Sequence, residues 1–345
     1  MSVITVNGEI NANELGVTDG HEHIFCDYSK DFEEPSESLK KFLFKQKISL
    51  EKKITSENFG ILMRNPLVSK YNQVLSNVGD AKEELTIFKD AGIKTIVDPT
   101  NIGVGRNPSA LKKLSNLLDI NIITATGYYR NKFHPPKVQE MSIEEIEEEM
   151  TEEIEIGIND TGIRAGVIGE LGTSEVIYPN EKKILIAGAR VNKKTNVPIM
   201  VHTEGKKELV MEALKILSKN GANLEKVNIC HVNGADYFED ILKTGAYVGL
   251  DCFGSTFNID SQLKFFDSDL KRIKDLLRII NKGYVKKVII GNDICMKMRL
   301  HKYGGWGYDH ILTNLLPYMK NEGIDDEQLR ILLIENPKNF LDMER

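Results

Sequence analysis

The stretch Gly16-Val17-Thr18-Asp19-Gly20-His21-Glu22-His23 reads as a short buried strand that ends in two histidines. Residues i and i+2 of a strand share a face, so His21 and His23 project together while Glu22 points away. Seven further runs of the same kind follow, at residues 94–99, 121–125, 164–171, 197–202, 227–231, 246–250 and 288–293. Each has the length and β-branched content of a parallel strand buried on both faces. Helical patterns lie between them. Asp80 with Glu83 opens one helix and Gly92 closes it, while Ser142 with Glu145 forms a capping box for another. Strand–helix alternation repeated eight times predicts an α/β fold, a (β/α)₈ TIM barrel whose strand ends all open onto one face. An open doubly wound sheet is the rival, weakened because no GxGxxG follows the first run.

The chain has 345 residues, and roughly 150 residues per domain would allow two domains. One barrel of about 250 residues with insertions accounts for the same length. Residues 1–345 therefore read as a single domain. Residues 29–79 form an insertion between the first and second strands, too short to bury a core of their own. Lys+Arg 45 against Asp+Glu 51 leaves a net charge of −6, which argues against nucleic-acid and membrane-surface partners. No apolar run approaches the ~18 residues of a membrane span, and the first residues lack a secretory signal. Cys26, Cys230, Cys252 and Cys295 form no CxxC pair, so reduced thiols and a cytoplasmic location are expected. In the acidic stretch 140–155, Ile143, Ile146, Met150 and Ile154 share one helical face. That spacing predicts an outer helix with its glutamates toward solvent.

His21 and His23 alone would be a weak signal. They are joined by Glu170, His202, His231 and Asp293, each at the carboxyl end of a predicted strand. In a parallel barrel these ends form the face where active sites lie. Five strands delivering nitrogen and oxygen donors to one rim point to metal binding. Six donors exceed the four of a single tetrahedral zinc, which implies two divalent ions with a bridging group, zinc foremost and manganese or cobalt as alternatives.

The chain resembles the phosphotriesterase family of the amidohydrolase superfamily over nearly its whole length. The similarity is carried by Thr18-Asp19-Gly20-His21-Glu22-His23, Thr161-Gly162-Ile163-Arg164-Ala165-Gly166, Val201-His202-Thr203, His231 and Gly291-Asn292-Asp293. Lys302-Tyr303-Gly304-Gly305 and Ile334-Glu335-Asn336-Pro337-Lys338 are more similar still to its phosphotriesterase-related, resiniferatoxin-binding branch. The resemblance implies a distorted barrel with a binuclear centre. It assigns His21, His23 and Asp293 to the more buried ion and His202 and His231 to the more exposed one. A carboxylate and a hydroxide would bridge the two ions. Phosphotriesterases proper use a carboxylated lysine there, but residues 164–171 contain no lysine. Glu170 takes its place, one residue out of register, which requires a local bulge. The histidine that usually follows the strand-seven aspartate is Cys252, and after His231 the chain reads Val232-Asn233-Gly234 without a second shuttle acid. Both departures argue against efficient organophosphate hydrolysis.

From these ligands follows a hydrolase in which the bridging hydroxide attacks a carboxylic ester, lactone or amide and Asp293 moves the proton. Tyr128 reads either as a hydrogen-bond donor to the substrate oxygen or as an aromatic packing residue. Lys297, Arg299 and Lys302, in the loop after the last strand, read either as binding an anionic group on a small-molecule substrate or as incidental charges of a solvated, glycine-rich loop. His134, His301 and His310 have no such placement and read as non-ligands. By resemblance, an N-acyl amino or sulfonic acid amide leads, followed by sugar lactones. An organophosphate triester hydrolase and a non-catalytic ligand-binding protein are the alternatives, and a homodimer is an assembly the reading allows.

Overall fold

The computed structural model describes residues 1–232 and 236–344. Eight parallel strands form its centre: β1 (Thr18–Asp19), β2 (Thr95–Asp98), β3 (Asn121–Thr126), β4 (Val167–Gly172), β5 (Ile199–His202), β6 (Val227–Ile229), β7 (Tyr247–Leu250) and β8 (Val288–Ile290). Each pairs with the next in chain order. Between β8 and β1 the barrel closes through single hydrogen bonds, from Gly20 N–H to the Ile290 carbonyl at 3.0 Å and from Asp293 N–H to the His21 carbonyl at 3.0 Å. Glycine is required at this seam. A Cβ on Gly20 would stand 2.4 Å from Ile289 Cγ2, and one on Gly291 2.8 Å from the His21 carbonyl oxygen.

The barrel interior is filled by Val97, Ile123, Ala125, Val167, Met200, Cys230, Tyr247 and Ile289, closed below by Val3, Leu15 and Phe340. Alternate strand residues face outward, where Ile122, Ile168, Ile199 and Val248 pack beneath the helices. Each such aliphatic side chain contributes about 1.5–3 kcal/mol by leaving water. The interior is therefore a packed core, and only the strand ends are open for chemistry.

Three local readings are refined. The helix Val78–Asp90 starts ahead of Asp80, with the Asn77 side chain as its cap; Asp80 instead accepts from Lys302 and Tyr303. The Ser142–Glu145 capping box opens Ile143–Glu155 as expected. Its glutamates do not all face solvent, because Glu153 turns inward to a two-point pair with Arg106, both contacts at 2.7 Å. Within residues 29–79, the helices Glu37–Gln46 and Ser56–Arg64 lie over the loops at the carboxyl ends of β7 and β8. Leu50, Leu62, Leu67 and Val68 share one apolar cluster with Phe257, Ile259, Met296 and Met298 from the loops after β7 and β8. No helix among the described residues is long and apolar enough to cross a membrane.

Candidate metal centre

The structure brings His21, His23, Glu170, His202, His231 and Asp293 together at one mouth of the barrel. Glu170 stands at their centre. Its Oε1 lies 2.7 Å from His231 Nε2 and 3.3 Å from His202 Nδ1, and its Oε2 3.9 Å from His21 Nε2. Asp293 Oδ1 lies 3.3 Å from His23 Nε2 and 3.8 Å from His21 Nε2. Donor atoms of His21, His23 and Asp293, and of His21, Glu170 and His231, fall within 4.8 Å of one another.

The backbone explains the inward aim of Glu170. On the β4–β5 ladder Ile168 pairs with Ile199 but Leu171 with Val201, so β4 carries an extra residue there. The bulge turns Glu170 into the barrel despite its offset in sequence. Gly169 adopts φ +118, and a Cβ on it would stand 2.2 Å from the Met200 carbonyl oxygen, so no other residue fits. Glu22 points away from the site, as strand alternation requires, and accepts from the Asn292 and Ile294 backbone N–H groups and the Asn292 side chain. His231 and Asp293 occupy the left-handed region, at φ 62 and φ 52. Such conformations cost on the order of 1–3 kcal/mol each and cluster at functional sites. Here Asp251 and the His21 carbonyl hold the two strained N–H groups.

Asp251 was used in the sequence only as a landmark, and it proves to organise the centre. Buried at the end of β7, it accepts from His21 Nδ1 and from His231 Nδ1, both at 3.0 Å. That fixes the tautomers of both rings and aims their Nε2 atoms at Glu170. Its place at the carboxyl end of β7, on the same rim as the other donors, was the available signal. Thr100 holds the orientation of the His23 ring, its Oγ1 2.7 Å from Nδ1.

Charge in the centre is tightly balanced. Burial alone would lower His21, but the carboxylates of Glu170, Asp251 and Asp293 outweigh it and hold His21 at about 9. Burial alone would raise Glu170, yet His231, His202 and His21 hold it well below the usual carboxylate range. These carboxylates demand positive charge, which protons or divalent cations on the same nitrogens can supply. The Nε2 of His21 is buried without a hydrogen-bond partner among the described residues. A fully buried imidazole nitrogen left unpaired is costly. Four imidazoles, two converging carboxylates and this orphaned nitrogen fit a pair of divalent ions.

Other expected site residues are placed elsewhere. Tyr128 is fully buried on the outer side of β3, its hydroxyl donating to Glu149 Oε1 at 2.9 Å. Its neighbour Tyr129 faces the centre, with its hydroxyl 3.2 Å from His202 Nδ1. Lys297 is drawn under the insertion, donating to the Tyr71 carbonyl at 2.9 Å and to the Val74 carbonyl. Lys302 pairs with Asp80 and Glu83. Neither lysine lines the cavity above the metal residues, so the expected cationic loop is not a substrate surface there. Arg299 does line that cavity, but it donates to the Asp293 and Phe253 carbonyls, both at 2.6 Å, and so ties two loops together. His134, His301 and His310 are engaged by the Tyr129 carbonyl, Asp309 and Asp269. Cys252 lies 3.5 Å from His231 Nδ1, and burial pushes its thiol up, away from the proton-shuttling range of an imidazole. The expected lack of a shuttle acid at Asn233-Gly234 lies outside the described residues.

The cavity holds about 280 Å³ and is walled by Tyr28, Phe32, Tyr129, Phe257, Phe266 and Met296 above the metal residues. Tyr129→Phe is expected to lower kcat roughly tenfold or more, the effect of losing one oxygen-directed donor being at most about 10²–10³. Tyr128→Phe should leave kcat within about twofold, since its hydroxyl faces Glu149. Steady-state kinetics of the two variants side by side would check this, and the reverse ranking would restore Tyr128 to the site.

The sequence profile of the phosphotriesterase family matches residues 1–341. The chain is 36% identical to the N-acetyltaurine hydrolase of Dictyostelium discoideum over 358 residues, covering 98% of this chain and 96% of that one. It is similar in structure to a resiniferatoxin-binding protein from Rhodobacter sphaeroides, with TM-score 0.94 and 31% identity over 99% of this chain and 96% of that one. It is also similar to the phosphotriesterase homology protein of Escherichia coli, solved with phosphate in its active site, with TM-score 0.77 and 28% identity over 95% of this chain and 99% of that one.

Proposed function

The chain belongs to the phosphotriesterase family, and on that premise we propose that it is a two-metal hydrolase of N-acyl amino or sulfonic acid amides. The observation that carries the proposal is Glu170, a buried carboxylate within 3.9 Å of three histidines that arrive from three different strands. The N-acetyltaurine hydrolases among its relatives support an amide with an anionic amine portion over a neutral ester.

In this reading His21, His23 and Asp293 would hold one ion and His202 and His231 the other, with the Glu170 carboxylate between the two sets. When bound, the ions supply Lewis-acid polarisation of the carbonyl and activation of water near neutral pH. The protein's own groups do the rest. Asp251 and Thr100 hold the imidazoles in one orientation. Asp293 stays ionised because His23, His231 and His21 outweigh its burial, so its carboxylate can accept the proton of the attacking water. It then returns that proton to the leaving nitrogen. The Tyr129 hydroxyl is positioned to donate to the oxygen that gains charge in the transition state. The aromatic walls keep bulk water from the reacting atoms, which strengthens every one of these contacts.

Kinetics on a substrate panel test the proposal. Metal-loaded protein should turn over N-acetyltaurine and related N-acyl amino acids faster than lactones and far faster than a phosphotriester. Turnover of lactones alone would move the substrate class while keeping the centre. A fully metallated protein inert to the whole panel would favour a binding role.

A further inference from the structure

With Lys297 and Lys302 turned away, the cations that line the cavity besides Arg299 are Arg130, Lys132 and Lys264. The geometry points to Arg130 as the residue that selects an anionic group on the substrate's amine portion. Resting on the amide-hydrolase reading above, this names the half of the site opposite the scissile bond.

Arg130 follows Tyr129 directly, and its guanidinium lies over the Tyr129 ring at 5.1 Å and over the Phe133 ring at 5.5 Å. The Tyr129 hydroxyl, at the far end of that ring, reaches His202. The guanidinium therefore stands one tyrosine ring away from the metal residues. A short extended linker between an amide and a sulfonate or carboxylate covers a similar span. The side chain is only 20% exposed, so an anion meeting it is largely removed from water, where charge-assisted bonds are strong.

Its donors are not exhausted. A guanidinium offers five N–H groups in a fixed fork. Glu204 takes one from Nη1 at 2.8 Å, and Asp31 takes one from Nη2. Nε is buried and has no partner among the described residues. Lys132 is 3.1 Å from the second oxygen of Asp31 and relieves part of that acid's charge. The two carboxylates thus hold the fork beside the Tyr129 and Phe133 rings while leaving donors for a ligand. Glu204 also stands 3.9 Å from His202 Nε2, which ties the guanidinium to the metal residues through one side chain. Lys264 lies beside the Phe266 ring at 5.0 Å on the facing wall and adds positive field without a fork.

The test compares N-acetyltaurine with the neutral N-(2-hydroxyethyl)acetamide, matched in length, in wild type, Arg130→Met and Arg130→Lys. The wild type should favour the sulfonate. In Arg130→Met the ratio of the two kcat/KM values should fall roughly ten- to hundredfold through KM, the effect of losing a charge-assisted contact. Arg130→Lys should recover part of it, because lysine keeps the charge but not the fork. Equal losses on both substrates would overturn the proposal and leave Arg130 as a brace for Asp31 and Glu204. Binding of ethanesulfonate by calorimetry provides a readout independent of turnover. If no amide is hydrolysed, a tenfold or larger weakening in Arg130→Met still supports the anion site, and unchanged binding overturns it. Circular dichroism of each variant excludes misfolding as the cause.

Discussion

Glu170→Gln is expected to lower kcat/KM by roughly 10²- to 10⁴-fold and to reduce metal content while the barrel stays folded. Glutamine preserves the size of the side chain and one acceptor oxygen, so the bulge at Gly169 and the packing around β4 are kept. What is lost is the negative charge facing His21, His202 and His231. Removing one member of a buried charged group costs about 3–5 kcal/mol of folding stability, because its partners stay buried and uncompensated. The fall in kcat/KM has a separate origin, loss of the carboxylate between the two metal-binding halves, and the range above corresponds to about 2.7–5.4 kcal/mol of transition-state stabilisation. Elemental analysis together with circular dichroism separates loss of metal from loss of fold. A Glu170→Gln protein with full metal content and near-normal turnover would show that the group joining the two halves lies elsewhere.

The eight strands and the donors at their ends were legible because both depend on short-range rules. A parallel strand buried on both faces leaves an apolar run, and the residue that follows it must face the barrel mouth. Alternation also separates the two tyrosines after β3. Ile123 and Ala125 face the interior, so the same parity carried onward reaches Tyr129, whereas Tyr128 shares the outward parity of Thr126 and meets the outer helix at Glu149. The placement of Lys297 and Lys302 away from the cavity could not be read from the loop itself. Their partners, Tyr71, Val74, Asp80 and Glu83, lie more than two hundred residues earlier. A glycine-rich loop with several cations looks free when only its own sequence is considered. Arg130 was overlooked because its role depends on Asp31 from the insertion and Glu204 from after β5, brought together only by closure of the barrel. Asp251 differs from these, since its place after β7 obeyed the rule that singled out the metal donors.

Purified protein grown with added zinc or manganese is expected to carry close to two divalent ions per chain, and stripping them should abolish turnover. The stoichiometry follows from the donors. A single tetrahedral zinc is satisfied by four ligands, whereas six converge here from five strands. The two halves also differ in access. The His21 and His23 side chains are 0% and 2% exposed, while those of His202 and His231 are each 14% exposed. The ion on the His202–His231 side should therefore leave first under mild chelation, giving a one-ion form before the empty one. Because the folded centre binds ions that the unfolded chain cannot gather, each site occupied at a hundred times its Kd adds about 2.7 kcal/mol of stability. Stripping should thus lower Tm in two steps that parallel the loss of metal. Adding back one equivalent should recover stability ahead of activity, since the reaction needs both halves that Glu170 joins. Full activity restored by a single equivalent, with no further uptake, would mean that one ion suffices and that the remaining histidines serve as hydrogen-bonding groups around it.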